Sequence, residues 1–310
     1  MSRYVIAGAG PIGSAVARQL LARGDEVTVV TRSGSDIAGA HNVRHDANDV
    51  DGLKDLTGGA AALFNCANPA YHKWATDWPS LAASLLTAAG QSGAVLVTAA
   101  NLYGYGHVVG PMSPSTPLHP NSVNGQVRAQ MWQDALAAHQ AGEVRVVEVR
   151  GSDYIGPHSE SHFERQLPNV LTGKTAKVVG DPDAQHSWTY TEDMAATLVA
   201  VAQEPVAWGR AWHAPCTAVK SQREALTAAC AVAGVAAPKV LGIPTWQMTM
   251  AGWFNPQIRA VATVAYQFQG PFLSDDSETR HVLGVLPTPW SEVLAASVAA
   301  SAESLQTAAG

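Results

Sequence analysis

Apolar and polar positions alternate between two periods along the first half of the chain. Tyr4-Val5-Ile6-Ala7 is an unbroken apolar run, as expected of a strand covered on both faces. From Ser14 to Arg23 the apolar residues recur at helical spacing, with Arg18 and Arg23 interrupting them. Glu26-Val27-Thr28-Val29-Val30-Thr31 reads as a second strand and Asn42-Val43-Arg44-His45-Asp46 as a third. Residues 60–66, 94–98 and 144–149 are further buried strands, and residues 71–90 and 121–140 are helical. Repeated strand–helix units predict an α/β fold with a doubly wound parallel sheet, its right-handed crossovers placing helices on both faces.

After Arg150 the rhythm changes. Residues 151–158 read as a loop, 163–171 as a helix, and 173–185 as an irregular polar stretch with Gly and Pro. Residues 191–202 are helical with Thr191 as the N-cap, 220–234 are helical, and 291–305 form a terminal helix. The stretch 243–271 is rich in Trp, Met and Phe. Its residues Trp246, Met248, Met250, Trp253 and Phe254 suit either the core of a small lobe or the wall of an apolar pocket.

Between the first strand and the first helix stands Gly8-Ala9-Gly10-Pro11-Ile12-Gly13, a G-x-G-x-x-G turn. Gly8 allows the tight turn, Gly10 lets the backbone approach a pyrophosphate, and Gly13 lets the helix pack closely on the strand. The helix N-terminus offers free N–H groups and partial positive charge to the phosphates, beside Pro11 and Ile12. Strand, turn and helix together predict a Rossmann-type dinucleotide-binding domain over residues 1–150, to which 186–215 return. Residues 151–185 and 216–310 then form a smaller C-terminal substrate lobe. At the end of the second strand an NAD site usually carries Asp or Glu for the ribose 2′-OH. Here Thr31-Arg32-Ser33-Gly34-Ser35 precedes the first acid, Asp36. Arg32 can stack on adenine and pair with a 2′-phosphate, and Ser33 adds a donor, so the expected cofactor is NADP(H) rather than NAD(H).

Composition narrows the classes. Hydrophobic residues make up 47% of the 310, charged residues 14%, and the net charge is −6 without a basic tract. No nucleic-acid or membrane partner is expected, and the predicted partner is a small-molecule substrate, with a homodimer as a candidate assembly. Cys66, Cys216 and Cys230 have no C-x-x-C spacing, which suits a reducing compartment without a disulfide framework or zinc site. The chain opens on a core strand rather than a signal peptide, and no uncharged run reaches membrane-spanning length. These features predict a cytoplasmic protein. His41/His45 and His158/His162 have the i,i+4 spacing of metal ligands, but no carboxylate pattern supports either pair, and no metal is predicted. The absence of G-x-S-x-G excludes the α/β-hydrolase reading.

Several segments resemble the extended short-chain dehydrogenase/reductase superfamily, also called the NAD-dependent epimerase/dehydratase family, over nearly the whole chain. Asp46 in Arg44-His45-Asp46-Ala47 is similar to the family's adenine-contacting acid. Asn65-Cys66-Ala67-Asn68-Pro69 resembles the segment under the adenosine ribose, which implies cofactor contacts at Ala67 and Asn68. Thr98-Ala99-Ala100-Asn101-Leu102-Tyr103-Gly104 resembles the strand end before Tyr-Gly. Arg150-Gly151-Ser152-Asp153-Tyr154-Ile155-Gly156-Pro157 is similar to the family's Arg…Tyr-Gly-Pro turn, and residues 186–194 to its late helix start. Tyr71, Tyr154, His158 and Trp188 are candidate substrate contacts. The opening turn departs from the family's usual G-x-x-G-x-x-G.

The larger departure is chemical. In the family a Tyr donates a proton, a Lys four residues later lowers its pKa and holds the nicotinamide ribose, and a Ser or Thr orients the substrate oxygen. None of the 7 tyrosines here is followed four residues later by Lys. The motif falls by position at Asn124-Gly125-Gln126-Val127-Arg128. Asn124 can hydrogen-bond but is no general acid, and Arg128 can hold ribose hydroxyls but stays charged. The hydroxyl position falls near Ala99, with Thr98 the nearest hydroxyl. Three readings follow. In the first, Tyr103 supplies the proton in an NADP(H)-dependent reductase of a small, fairly apolar carbonyl, with Tyr154 and His158 as alternatives. In the second, an activated C=C or C=N substrate needs no strong acid. In the third, the chain binds NADP(H) without catalysis, like the NmrA-like regulators. A nucleotide-sugar epimerase or dehydratase is a further alternative, against which the sparse basic residues of the lobe weigh.

Overall fold

The computed structural model describes residues 1–159 and 161–309. The first half builds β1 (Arg3–Ala7), α1 (Pro11–Ala22), β2 (Glu26–Thr31), β3 (His41–Arg44), α2 (Val50–Thr57), β4 (Ala62–Asn65), α3 (Trp74–Ser92), β5 (Val95–Asn101), α4 (Val123–Gln140) and β6 (Arg145–Gly151). The second half adds β7 (Asp153–Ile155), α5 (His162–Leu171), β8 (Ala176–Val179), β9 (Gln185–Tyr190), α6 (Thr191–Gln203), β10 (Ala211–His213), β11 (Cys216–Ser221) and α7 (Gln222–Val232). It closes with β12 (Val240–Ile243), α8 (Thr245–Gly252), α9 (Pro256–Val264), α10 (Ser277–Leu283) and α11 (Trp290–Ala309).

Seven strands form one sheet in the order β10-β6-β5-β4-β1-β2-β3, with parallel pairing between all neighbours. Strand alternation sends successive side chains to opposite faces. Tyr4 and Ile6 therefore join the layer of α1 and α6, where Val16, Leu20, Met194 and Leu198 are fully buried. Val5 and Ala7 join the opposite layer with Leu53, Trp78 and Leu85. Burial on both faces explains the unbroken apolar run that marks β1 in the sequence. Strand order reverses at β1 and β4, and the crevice at their carboxyl ends is the ligand position of such folds.

The second half forms two small sheets, β11-β9-β7 and β12-β8, around a core that includes Trp188, Phe163 and Leu226. Several boundaries differ from the sequence reading. Residues 186–190 pair with β7 and β11 rather than with the large sheet, which the chain rejoins through α6 and β10. Thr191 is the first helical residue, and Tyr190 stands at the N-cap. The polar stretch 173–185 contains β8, whose partner β12 lies far along the chain. Residues 220–221 close β11, and Ser221 caps α7 in a reciprocal capping box with Glu224. Trp246, Met250, Trp253 and Phe254 are 61%, 51%, 68% and 89% exposed, so they form neither a lobe core nor a pocket wall; Met248 alone of that group is buried.

Candidate active site

The G-x-G-x-x-G turn is built by steric exclusion. Gly8 has φ +103, and a Cβ there would stand 2.6 Å from the Cys66 carbonyl oxygen. A Cβ on Gly13 would stand 2.1 Å from the Gly8 oxygen. The space beside Gly10 is open, with no atom within 4 Å of an added Cβ. Gly10 is also the N-cap of α1, whose first turn has no side-chain cap and starts with Pro11. A helix end that lacks its own cap, beside an open glycine at the switch point of the sheet, fits a dinucleotide pyrophosphate.

Arg32, Ser33 and Asp46 follow the carboxyl ends of β2 and β3, all exposed and outside the cavity described next. The Arg44 Nε donates to the Arg32 carbonyl at 3.1 Å. The Asn48 amide and side chain donate to Asp46 Oδ1, which holds that carboxyl below its ordinary range with help from the nearby Arg32 charge.

A cavity of about 480 Å³ runs from Gly10, Pro11 and Ile12 past Ala67 and Asn68 into the second half of the chain. Of the candidate catalytic and substrate residues, Tyr71, Tyr103, Arg128, Tyr154 and Trp188 line it. Besides Arg32, Ser33 and Asp46, five predicted residues do not. Gly8 and Gly13 lie beneath the turn as packing glycines. Thr98 faces a second cavity of about 400 Å³ between α3 and α4. Asn124 is buried and donates through Nδ2 to the Tyr71 carbonyl at 3.2 Å, so the residue in the family's Tyr position is committed to the backbone. His158 is an exposed residue at φ 60 and is not among the residues lining this cavity, although its neighbour Ser159 is.

Arg128 projects from α4 between two indoles, its guanidinium carbon 4.5 Å from the centroids of both Trp74 and Trp78. Cation–π contact compensates part of the cost of burying that charge. Nη1 donates to the Ala99 carbonyl at 3.5 Å, and Nε is buried without a partner. Burial draws the guanidinium below its ordinary pKa, opposed by the negative charge of Glu148. The Tyr154 hydroxyl donates to the Ala100 carbonyl at 3.1 Å and is thereby occupied. Burial raises the phenols of Tyr71, Tyr103 and Tyr154 above the ordinary tyrosine value, which keeps them protonated donors rather than bases.

Polar residues absent from the sequence reading of the site complete the lining. Asp153, His162, Arg165, Gln257 and Gln267 all face the cavity. Asp153 could have been found as the acid inside the Arg…Tyr-Gly-Pro segment, and His162 as the inward member of the His158/His162 pair. Asp153 was hidden because β7 is three residues long and reads as loop, and His162 because it opens α5 just after that loop. Fully buried behind Asp153 is His186, its Nδ1 2.6 Å from Asp153 Oδ2. The His186 ring stacks on Phe268 at 4.9 Å and 27°. His162 meets the same phenyl edge-on at 5.2 Å, and burial lowers its pKa. The lining mixes these polar groups with Trp74, Trp188, Phe268 and Phe272, whereas Trp246, Met250, Trp253 and Phe254 of the aromatic segment are exposed. Among the described residues no group of three or more His, Cys, Asp or Glu could hold a metal ion, and no helix is long and apolar enough to cross a membrane.

Sheet order, opening turn and crevice all point to one class, and comparison agrees. The sequence profile of the NAD dependent epimerase/dehydratase family matches residues 4–212, and the chain belongs to that family. No curated protein matches the sequence. Among solved structures the chain is similar to MoeE5 in complex with UDP-glucose and NAD, at TM-score 0.79 and 20% identity over 98% of this chain and 99% of that one. It is similar to DesIV, a dTDP-glucose 4,6-dehydratase of Streptomyces venezuelae solved with NAD, at TM-score 0.78 and 22% identity over 97% of each. It is also similar to a UDP-glucose 4-epimerase of Thermotoga maritima, at TM-score 0.79 and 16% identity over 98% and 99%. At these identities the likeness is one of fold.

Proposed function

We propose that this protein is a nicotinamide-dinucleotide-dependent enzyme of the epimerase/dehydratase type, acting on a hydroxyl-rich substrate of the nucleotide-sugar class. The observation that carries the reading is the continuity of one cavity from the pyrophosphate turn at Gly10 to a polar end lined by Asp153, His162, Arg165, Gln257 and Gln267. Hydroxyls need paired donors and acceptors when buried, and these side chains supply both. Arg165 adds a cation for an anionic part of the substrate, which answers the sparse basic residues of the lobe. The structural relatives solved with UDP-glucose and NAD support the same class. An apolar carbonyl substrate fits this lining less well.

The proposed cofactor is NADP(H), because Arg32 and Ser33 stand where a ribose-binding acid is usual and the first acid after β2 is Asp36. When bound, such a cofactor exchanges hydride with the substrate carbon. The chain's own residues bind and orient. Tyr103, protonated throughout, donates to the substrate oxygen that gains charge. Arg128 places a fixed cation behind the same end of the cavity, held by Trp74 and Trp78.

The test is direct. Purified protein is incubated with UDP-glucose, UDP-glucuronic acid or dTDP-glucose and either NADP⁺ or NAD⁺, and the sugar is followed by proton NMR. An epimerised or dehydrated sugar supports the reading. Tight NADPH binding with no conversion of any sugar overturns it in favour of a dinucleotide-binding protein without turnover.

A further inference from the structure

The Tyr-Lys pair that would move a proton in this family is replaced by Asn124 and Arg128, and neither can do that work. Tyr154 is committed to the Ala100 carbonyl, and burial holds Tyr103 in its protonated form. A proton-transfer group must then come from the other wall of the cavity. Among the described residues, Asp153 is the carboxylate that lines it. Its Oδ2 is completely buried against His186, while the side chain as a whole keeps 16% of its surface exposed. That arrangement leaves Oδ1 as the oxygen able to meet a substrate.

His186 fixes the carboxylate. His186 Nδ1 and Asp153 Oδ2 stand 2.6 Å apart as a buried ion-pair-distance contact, and neither atom has a hydrogen-bond partner. Nε2 is buried with no partner, among Phe268, Phe272 and Trp188. Among the described residues, the titratable groups facing Asp153 are His186 on β9, His162 on α5 and Tyr103 after β5, and Arg165 on α5 and Arg128 on α4 line the same cavity.

We propose that Asp153, oriented by His186, is the acid–base residue of this cavity: a substrate hydroxyl O–H breaks, its electron pair stays on the substrate oxygen, and the proton bonds to Asp153 Oδ1, to be returned in the reverse step. Asp153 is the catalytic residue and His186 a positioning residue. The inference rests on the enzyme reading above.

The experiment compares the parent with Asp153→Asn, Asp153→Glu, His186→Asn and His186→Leu, using the sugar that the parent converts best among UDP-glucose, UDP-glucuronic acid and dTDP-glucose. NADPH affinity by fluorescence checks that each variant folds with its cofactor site intact. Asp153→Asn is expected to lose about 10²–10⁴-fold in kcat at unchanged NADPH affinity, with loss of the acidic limb of the kcat/KM profile. Asp153→Glu should recover part of the loss. His186→Asn keeps a donor at the Nδ1 position and should stay within about tenfold of the parent, whereas His186→Leu should shift the acidic limb. An active parent with an equally active Asp153→Asn overturns the assignment alone. A parent inert toward all three sugars overturns the enzyme reading, and the assignment with it. Should Asp153→Asn lose NADPH binding, the Glu variant decides: full loss of kcat with intact NADPH binding contradicts a role that any carboxylate at this place could fill.

Discussion

The Gly8 carbonyl oxygen stands 2.1 Å from where a Cβ on Gly13 would be, while a Cβ on Gly10 would meet nothing within 4 Å. Two glycines of one motif therefore have separable roles. Gly13→Ala forces strand and helix apart and is expected to cost at least about 2 kcal/mol, seen as a lower Tm. Gly10→Val should fold with a near-parent Tm and lose NADPH binding, because its branched side chain fills the pyrophosphate's space. Normal NADPH affinity in Gly10→Val would make the turn purely structural.

Arg32 tests the choice of cofactor. NADPH should bind more tightly than NADH, and Arg32→Asp should weaken NADPH by about 1.5–3 kcal/mol, the worth of a charge-assisted hydrogen bond. Fluorescence titration of both nucleotides checks this. Equal affinities in the parent would remove the 2′-phosphate from the role given to Arg32.

Tyr103→Phe separates a hydrogen-bond donor from a proton donor. Loss of a hydrogen bond to a charged oxygen is worth about 1.5–3 kcal/mol, so kcat should fall about 10–100-fold with the pH profile retained. A loss beyond about 10³-fold with an altered profile would make Tyr103 the acid and remove Asp153 from that position.

Glu164 predicts a pH dependence of stability. Burial raises its carboxyl from 4.5 to about 7, while Oε1 accepts from the Gly156 amide at 3.2 Å. The folded state thus holds this proton more tightly than the unfolded chain does. Stability from this group is complete below the unfolded pKa of 4.5 and is lost as pH rises through about 7. Glu164→Gln should therefore raise the Tm at pH 8, by up to about 3 kcal/mol of stability, and gain much less at pH 5. An equal gain at both pH values would contradict a buried, raised carboxyl.

The dinucleotide half was legible because its signals are local. β1 is apolar on both faces, and the three glycines fall between residues 8 and 13. The second half was less legible because its strands owe their existence to distant partners: β8 pairs with β12, and β7 is three residues long between loop residues. The cavity's polar wall was hidden for the same reason. Asp153 and His186 are 33 positions apart in the sequence, and no spacing rule joins them until β7 pairs with β9. The Trp- and Phe-rich stretch misled in the opposite direction, since composition cannot tell an exposed aromatic from a buried one.

A structure of the NADPH complex tests most directly whether the turn and the polar cavity are one site. The expected result is pyrophosphate against Gly10, Pro11 and Ile12, the 2′-phosphate beside Arg32, and the nicotinamide ring in the cavity between Tyr103 and Asp153. A dinucleotide bound away from Gly10, or a nicotinamide that leaves this cavity for solvent, would contradict it.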